Sequence, residues 1–172
     1  MSNNGKKLSI INWNLDSQDL KTLFAIKVDH PARLEQLILN KNQIVQLYSV
    51  AGQTVACLFE KCHNLRSLTI KDNPLRKIHP NNFKTAGKNL LYVNFQNNCI
   101  SKELNFRFAR NLVIVEVLII RNHECYNLTV EKFMQIIKRK LVRLKILDIR
   151  CKGQKPEQFP AERLSRLRSF FP

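Results

Sequence analysis

The residues with the most chemistry to offer in this chain are cations. Lys132, Lys138, Arg139, Lys140 and Arg143 fall close together, Lys145 lies just beyond them, and Arg163, Arg166 and Arg168 follow near the end of the sequence. Such a cluster can neutralise the phosphates of a nucleic acid, at an affinity that falls steeply with salt. A solvated helical face accounts for any single member equally well. The surplus extends to the whole chain, with 29 Lys and Arg against 13 Asp and Glu for a net charge of +16. Residues 1–86 carry 12 cations against 6 acids and residues 87–172 carry 17 against 7, so the second half is the more electropositive. A field of this sign favours polyanions or acidic partners.

Nucleophilic, metal and nucleotide chemistry find little support. His30, His63, His79 and His123 form no HExxH or other close ligand spacing, and Cys57 with Cys62 lacks a second Cys or His pair at zinc-finger distance. Cys62 and His63 are sequence neighbours that more naturally divide between core and surface than form a nucleophile pair. No GxSxG motif or glycine-rich phosphate loop occurs among only 4 glycines. The expectation is a non-enzyme without cofactor, metal or small-molecule substrate. No apolar run is long enough to span a membrane, and "MSNNGKKLSI" lacks the apolar core of a signal peptide. Cys57, Cys62, Cys99, Cys125 and Cys151 are odd in number and irregularly spaced, as suits reduced core thiols in an intracellular protein. The sequon at Asn127 would matter only in the alternative of a secreted chain, which would need disulfides as well.

The elements that position these cations are legible in a repeated frame. "LRSLTIKDNPL" (Leu65 to Leu75) recurs as "LEQLILNKNQI" (Leu34 to Ile44), "LLYVNFQNNCI" (Leu90 to Ile100) and "VEVLIIRNHEC" (Val115 to Cys125), with weaker copies at "LSIINWNL" and "LKILDIRCKG". In the first weak copy Leu8, Ile10, Trp13 and Leu15 are the apolar residues in frame. The fourth-position residues Leu8, Leu37, Leu68, Val93, Leu118 and Leu147 are separated by 29, 31, 25, 25 and 29 residues. Periods of this size indicate stacked units. Within each, the L-x-L alternation puts two apolar side chains on one face of a short strand, and a later apolar residue covers them. Asparagine at positions 42, 73 and 98 both donates and accepts, so it can satisfy backbone groups left unpaired by the turn.

This frame resembles the leucine-rich repeat. The resemblance implies an α/β fold: a solenoid of about five to six strand-helix coils with a short parallel sheet on the concave face. Residues 1–33 would supply a first strand and capping helix, 34–152 the repeats and 153–172 a carboxy-terminal cap. Helical spacing is expected in "DSQDLKTLFAIK", capped by Asp16 or Ser17, in "SVAGQTVACLFEKC", and in "LTVEKFMQIIKRK" with Thr129 as cap. The 25-residue units leave room for about two helical turns or a 3₁₀ segment.

Residues between the buried strand positions must point out of the concave face. One such column is Asn40, Lys71, Gln96, Arg121 and Arg150; the next is Ile38, Thr69, Asn94, Ile119 and Asp148; the third is Gln36, Ser67, Tyr92, Val117 and Ile146. Lys71, Arg121 and Arg150 could contact phosphates while Tyr92, Asn94 and Gln96 stack on or hydrogen-bond a base. Alternatively these positions are polar only because they face solvent.

The order of pieces also resembles the repeat domain of the nuclear RNA export factor family. Cys125, Phe133, Leu147 and Asp148 carry the match, with Ile149 where the family has glycine. The resemblance implies a domain cut from a longer protein, binding RNA or a ribonucleoprotein partner in nuclear RNA export or RNA-guided silencing. The other reading is a scaffold whose concave face takes an acidic peptide or domain. "IKRKLVR" could also serve as a nuclear-localisation segment.

Overall fold

A computed structural model describes residues 5–26, 31–51, 54–100, 103–122, 141 and 143–151. Six strands form one open, wholly parallel sheet: β1 (Lys7–Ser9), β2 (Gln36–Ile38), β5 (Ser67–Thr69), β6 (Tyr92–Asn94), β7 (Val117–Asn122) and β8 (Ile146–Cys151), in that order. Leu8, Leu37, Leu68, Val93, Leu118 and Leu147 stand opposite one another across its five pairings, so the spacing of the apolar frame is the register of the sheet. A slip of one residue would turn every one of these side chains to the wrong face.

The core lies behind that row. Leu39, Ile70, Phe95 and Ile120 follow two residues later on the same face, Leu34, Leu65, Leu90 and Val115 precede, and all eight are buried. Each such side chain removed from water contributes about 1.5–3 kcal/mol. Aromatic rings then join one unit to the next: Phe24 to Phe59 with centroids 6.2 Å apart, Phe59 to Phe83 at 5.6 Å, and Phe83 to Phe108 at 5.4 Å.

The asparagine position works as a clamp between units. The Asn42 amide donates to the carbonyls of Ile10 and Asn40, at 3.0 and 2.9 Å, while its Oδ1 accepts the N–H groups of Trp13 and Leu15. Asn73 repeats the arrangement on Leu39 and Lys71, both at 2.8 Å, and Asn98 on Ile70 and Gln96 at 2.7 and 3.2 Å. The preceding residue is left-handed each time, with φ of 54° at Lys41, 55° at Asp72 and 56° at Asn97. That reversal turns the chain out of the strand.

Among the described residues α1 (Ser17–Ile26) is the one α-helix. Asp16 caps it by accepting the N–H groups of Gln18 and Asp19 at 2.7 Å each, and Asp19 reaches back to the N–H of Asp16 at 3.1 Å, a reciprocal box. The other described connections are not helical coils. The helix expected over "SVAGQTVACLFEKC" is an antiparallel hairpin, β3 (Tyr48–Ala51) with β4 (Thr54–Cys57). Val50, Thr54 and Val55 favour strand, and a central Gly52 disfavours helix. 3₁₀ segments form the backs of the two 25-residue units, Pro80–Phe83 and Ala86–Lys88 in the first and Glu103–Asn111 in the second, as their length allows. The expected helix over "LTVEKFMQIIKRK" and the cap at 153–172 lie outside the described residues.

A second departure concerns Trp13. Its place in the apolar frame predicts burial, yet it is 70% exposed. It occupies the asparagine position of the unit whose strand, β1, is the edge of the sheet among the described residues.

Candidate functional site

The open face of the sheet carries the three outward columns side by side. Gln36, Ser67, Tyr92, Val117 and Ile146 are in register, as are Ile38, Thr69, Asn94, Ile119 and Asp148. Of the third column, Arg121 and Arg150 are paired within β7 and β8, whereas Asn40, Lys71 and Gln96 follow the ends of their strands. The rim is nevertheless continuous, because Asn40 Oδ1 accepts the Lys71 N–H at 3.0 Å.

The predicted binding residues divide into distinct groups. Lys71 and Gln96 are half-buried along the rim. Asn94 is only 6% exposed, and its amide is already used: Nδ2 donates to the Tyr92 hydroxyl at 3.0 Å and Oδ1 accepts the Gln96 N–H at 2.9 Å. It therefore holds Tyr92 in place, with one N–H and one lone pair of the amide already engaged. Arg121 is not a bare cation either. Its Nε and Nη2 lie 2.6 and 2.5 Å from Oδ2 of Asp148. Arg150 is placed by its backbone opposite Arg121, and its side chain lies outside what is described. Arg143 is exposed on a turn before β8, while Lys132, Lys138, Arg139 and Lys140 fall outside the described residues.

The columns also hold apolar groups that a list of polar positions passes over. Val117 and Ile119 are half-buried, and Ile146 is 54% exposed. The repeat frame places all three on the open face, so the signal was in the sequence. At the opposite end, Lys41 is exposed at its left-handed turn, beside the rim residue Asn40. Reading strand positions alone misses it, since the turn carries it.

A cleft of about 250 Å³ lies between α1 and the β3–β4 hairpin, lined by Leu20, Phe24, Leu47, Tyr48, Cys57 and Leu58 among others. Cys57 Sγ is 3.8 Å from Nδ1 of His79, an arrangement that invites comparison with a thiol and base. Burial, and then the charge of Glu60, push this thiol up from its ordinary value, and the same His79 nitrogen accepts the Asn81 N–H at 3.2 Å. A pair so placed is not an activated nucleophile. Among the described residues no group of three His, Cys, Asp or Glu side chains could hold a metal ion, and no helix is long and apolar enough to cross a membrane.

No protein-family model matches the chain, and no curated protein matches it either.

Proposed function

We propose that the chain is a leucine-rich repeat solenoid of the nuclear RNA export factor kind, part of a longer nuclear protein, that acts without catalysis. Its open face binds single-stranded RNA, alone or within a ribonucleoprotein. The observation that carries this reading is electrostatic. With 29 cationic side chains against 13 carboxylates, pairing every acid still leaves a net charge of +16 to be met by an outside anion. Lys71 on the rim and Tyr92 on the neighbouring strand β6 supply the two contacts that an unpaired strand needs, a cation for its backbone and a π-face for its bases.

A second reading, an acidic peptide or domain on the same face, is favoured by Val117, Ile119 and the exposed Ile146, which an apolar side chain would cover.

The test is fluorescence anisotropy of labelled single-stranded RNA with wild type and a Lys71, Arg121, Arg150 triple-alanine variant, over a salt series. The expected result is affinity weakened by roughly tenfold or more, with a log-log salt slope shallower by about two to three. A folded variant that binds as wild type does removes the open face as an RNA site.

A further inference from the structure

In the second, third and fourth units the side chain at the asparagine position reaches back to a carbonyl of the preceding unit, Ile10, Leu39 or Ile70. The first unit places Trp13 there instead, 70% exposed at the end of the sheet where β1 forms the edge. Its backbone is held firmly. The Trp13 N–H donates at 3.1 Å to Oδ1 of Asn42, which is 2% exposed, and its neighbours Asn12 and Asn14 both adopt left-handed backbone, with φ of 62° and 55°. Asparagine is among the residues that tolerate that conformation best. An indole with a fixed backbone thus stands in solvent between two exposed asparagines.

This end is continuous with the rim. The Asn12 N–H donates to the Asn40 carbonyl at 3.1 Å and the Lys41 N–H to the Lys71 carbonyl at 2.9 Å, so the first, second and third turns lie side by side. Exposed Lys41 follows Asn40 in the turn beside Trp13, and Lys71 stands one unit further on. An apolar protein partner would be met by a broad apolar patch. Here the exposed residues next to the ring in sequence are Asn12 and Asn14, Lys41 is exposed in the adjoining turn, and Ile11 is 46% exposed. An exposed π-face with amides beside it in its own turn and a cation in the next matches an unpaired base and its phosphate.

We infer that Trp13 is a stacking platform for an unpaired base of single-stranded RNA, with Lys41 taking the adjacent phosphate, so that the strand runs from the β1 edge along the rim to Lys71. This rests on the RNA reading above and adds an anchor outside the columns tested there.

Trp13 is the chain's single tryptophan, so its emission reports on this site alone. Unlabelled decauridine is titrated against intrinsic fluorescence, and labelled decauridine is followed by anisotropy with wild type, Trp13→Ala and Trp13→Phe, each checked for folding by circular dichroism. The expected result is saturable quenching that follows the anisotropy isotherm, binding weakened roughly 5- to 150-fold in Trp13→Ala, and most of it kept in Trp13→Phe. Binding by wild type without quenching, and unchanged in Trp13→Ala, overturns the platform and leaves the open-face reading standing. No binding by wild type overturns both.

Discussion

Arg121 and Asp148 close on each other across the last two described strands, with Nε and Nη2 of the guanidinium 2.6 and 2.5 Å from one carboxylate oxygen. The acid is the more enclosed partner, its side chain 14% exposed against 37% for the arginine. Asp148 therefore already engages the Arg121 guanidinium, and any outside anion using Arg121 must displace it or share it.

Asp148→Asn is the direct probe of that competition. Removing the negative charge frees the guanidinium, and affinity for single-stranded RNA is expected to rise by roughly three- to tenfold at low salt, shrinking as salt screens the site. Stability should change by about 1 kcal/mol or less, as is usual for partly exposed pairs. Anisotropy titration and urea unfolding of the same preparation give both numbers, and weaker binding by the variant would mean that Asp148 positions Arg121 for the ligand.

The asparagine clamps differ in a way that stability measurements should resolve. Asn73 serves three backbone groups, donating to the carbonyls of Leu39 and Lys71 and accepting the Ile44 N–H at 3.2 Å. Asn98 donates to two carbonyls, and its buried Oδ1 has no partner among the described residues. Asn73→Ala is expected to cost about 2–4 kcal/mol and Asn98→Ala less, because fewer buried groups lose their partner. Equal losses in urea unfolding would show that the shared side-chain donations account for the whole effect.

How far the fold could be read from sequence follows from what each signal depends on. The register of all six strands lay in the spacing of Leu8, Leu37, Leu68, Val93, Leu118 and Leu147, because one buried face leaves a strand no alternative alignment. The cap of α1 was legible for a local reason, a carboxylate at Asp16 within reach of two N–H groups. The β3–β4 hairpin was not, since Val55, Leu58 and Cys62 satisfy a helical spacing while β-branched residues favour strand. Trp13 was misplaced because the frame assumes a neighbouring strand on both sides, and β1 is the edge of the described sheet. Composition located the cations, but the Arg121–Asp148 pair needed the geometry of two adjacent columns.

Gly87 is required by a close approach of two backbones. A Cβ built there would stand 2.1 Å from the Asn111 carbonyl oxygen and 2.8 Å from its carbon, so the 3₁₀ segment Ala86–Lys88 could no longer rest on the end of Glu103–Asn111. Gly87→Ala should destabilise by about 1–3 kcal/mol or more, as overpacking does when main chain must move. At Gly5, with φ of 64° and nothing within 4 Å of a Cβ, the same change costs only backbone strain, about 1 kcal/mol. Thermal unfolding of the two variants beside wild type separates the clash from the strain, and a Gly87→Ala midpoint equal to wild type would show that these segments do not rest on each other in solution.

Cys62 gives the fold a dependence on alkaline pH. Burial pushes its thiol from 9.0 up to about 12 in the folded chain, since the thiolate would lose water without gaining a partner. Below pH 9 the thiol is protonated in both states and contributes no slope. Between these two values the unfolded chain releases the proton that the folded chain keeps, so stability falls as pH rises, by about 1.4 kcal/mol per unit from this group. Cys62→Ala removes the titration and leaves only a small cavity, a cost that does not vary with pH. Urea unfolding from pH 8 to 10.5 should give a steeper decline for wild type than for the variant, and native Cys62 should resist a thiol reagent at pH 8 until denaturant is added. Parallel declines, or rapid labelling of the native thiol, would mean that the core around Cys62 opens to water.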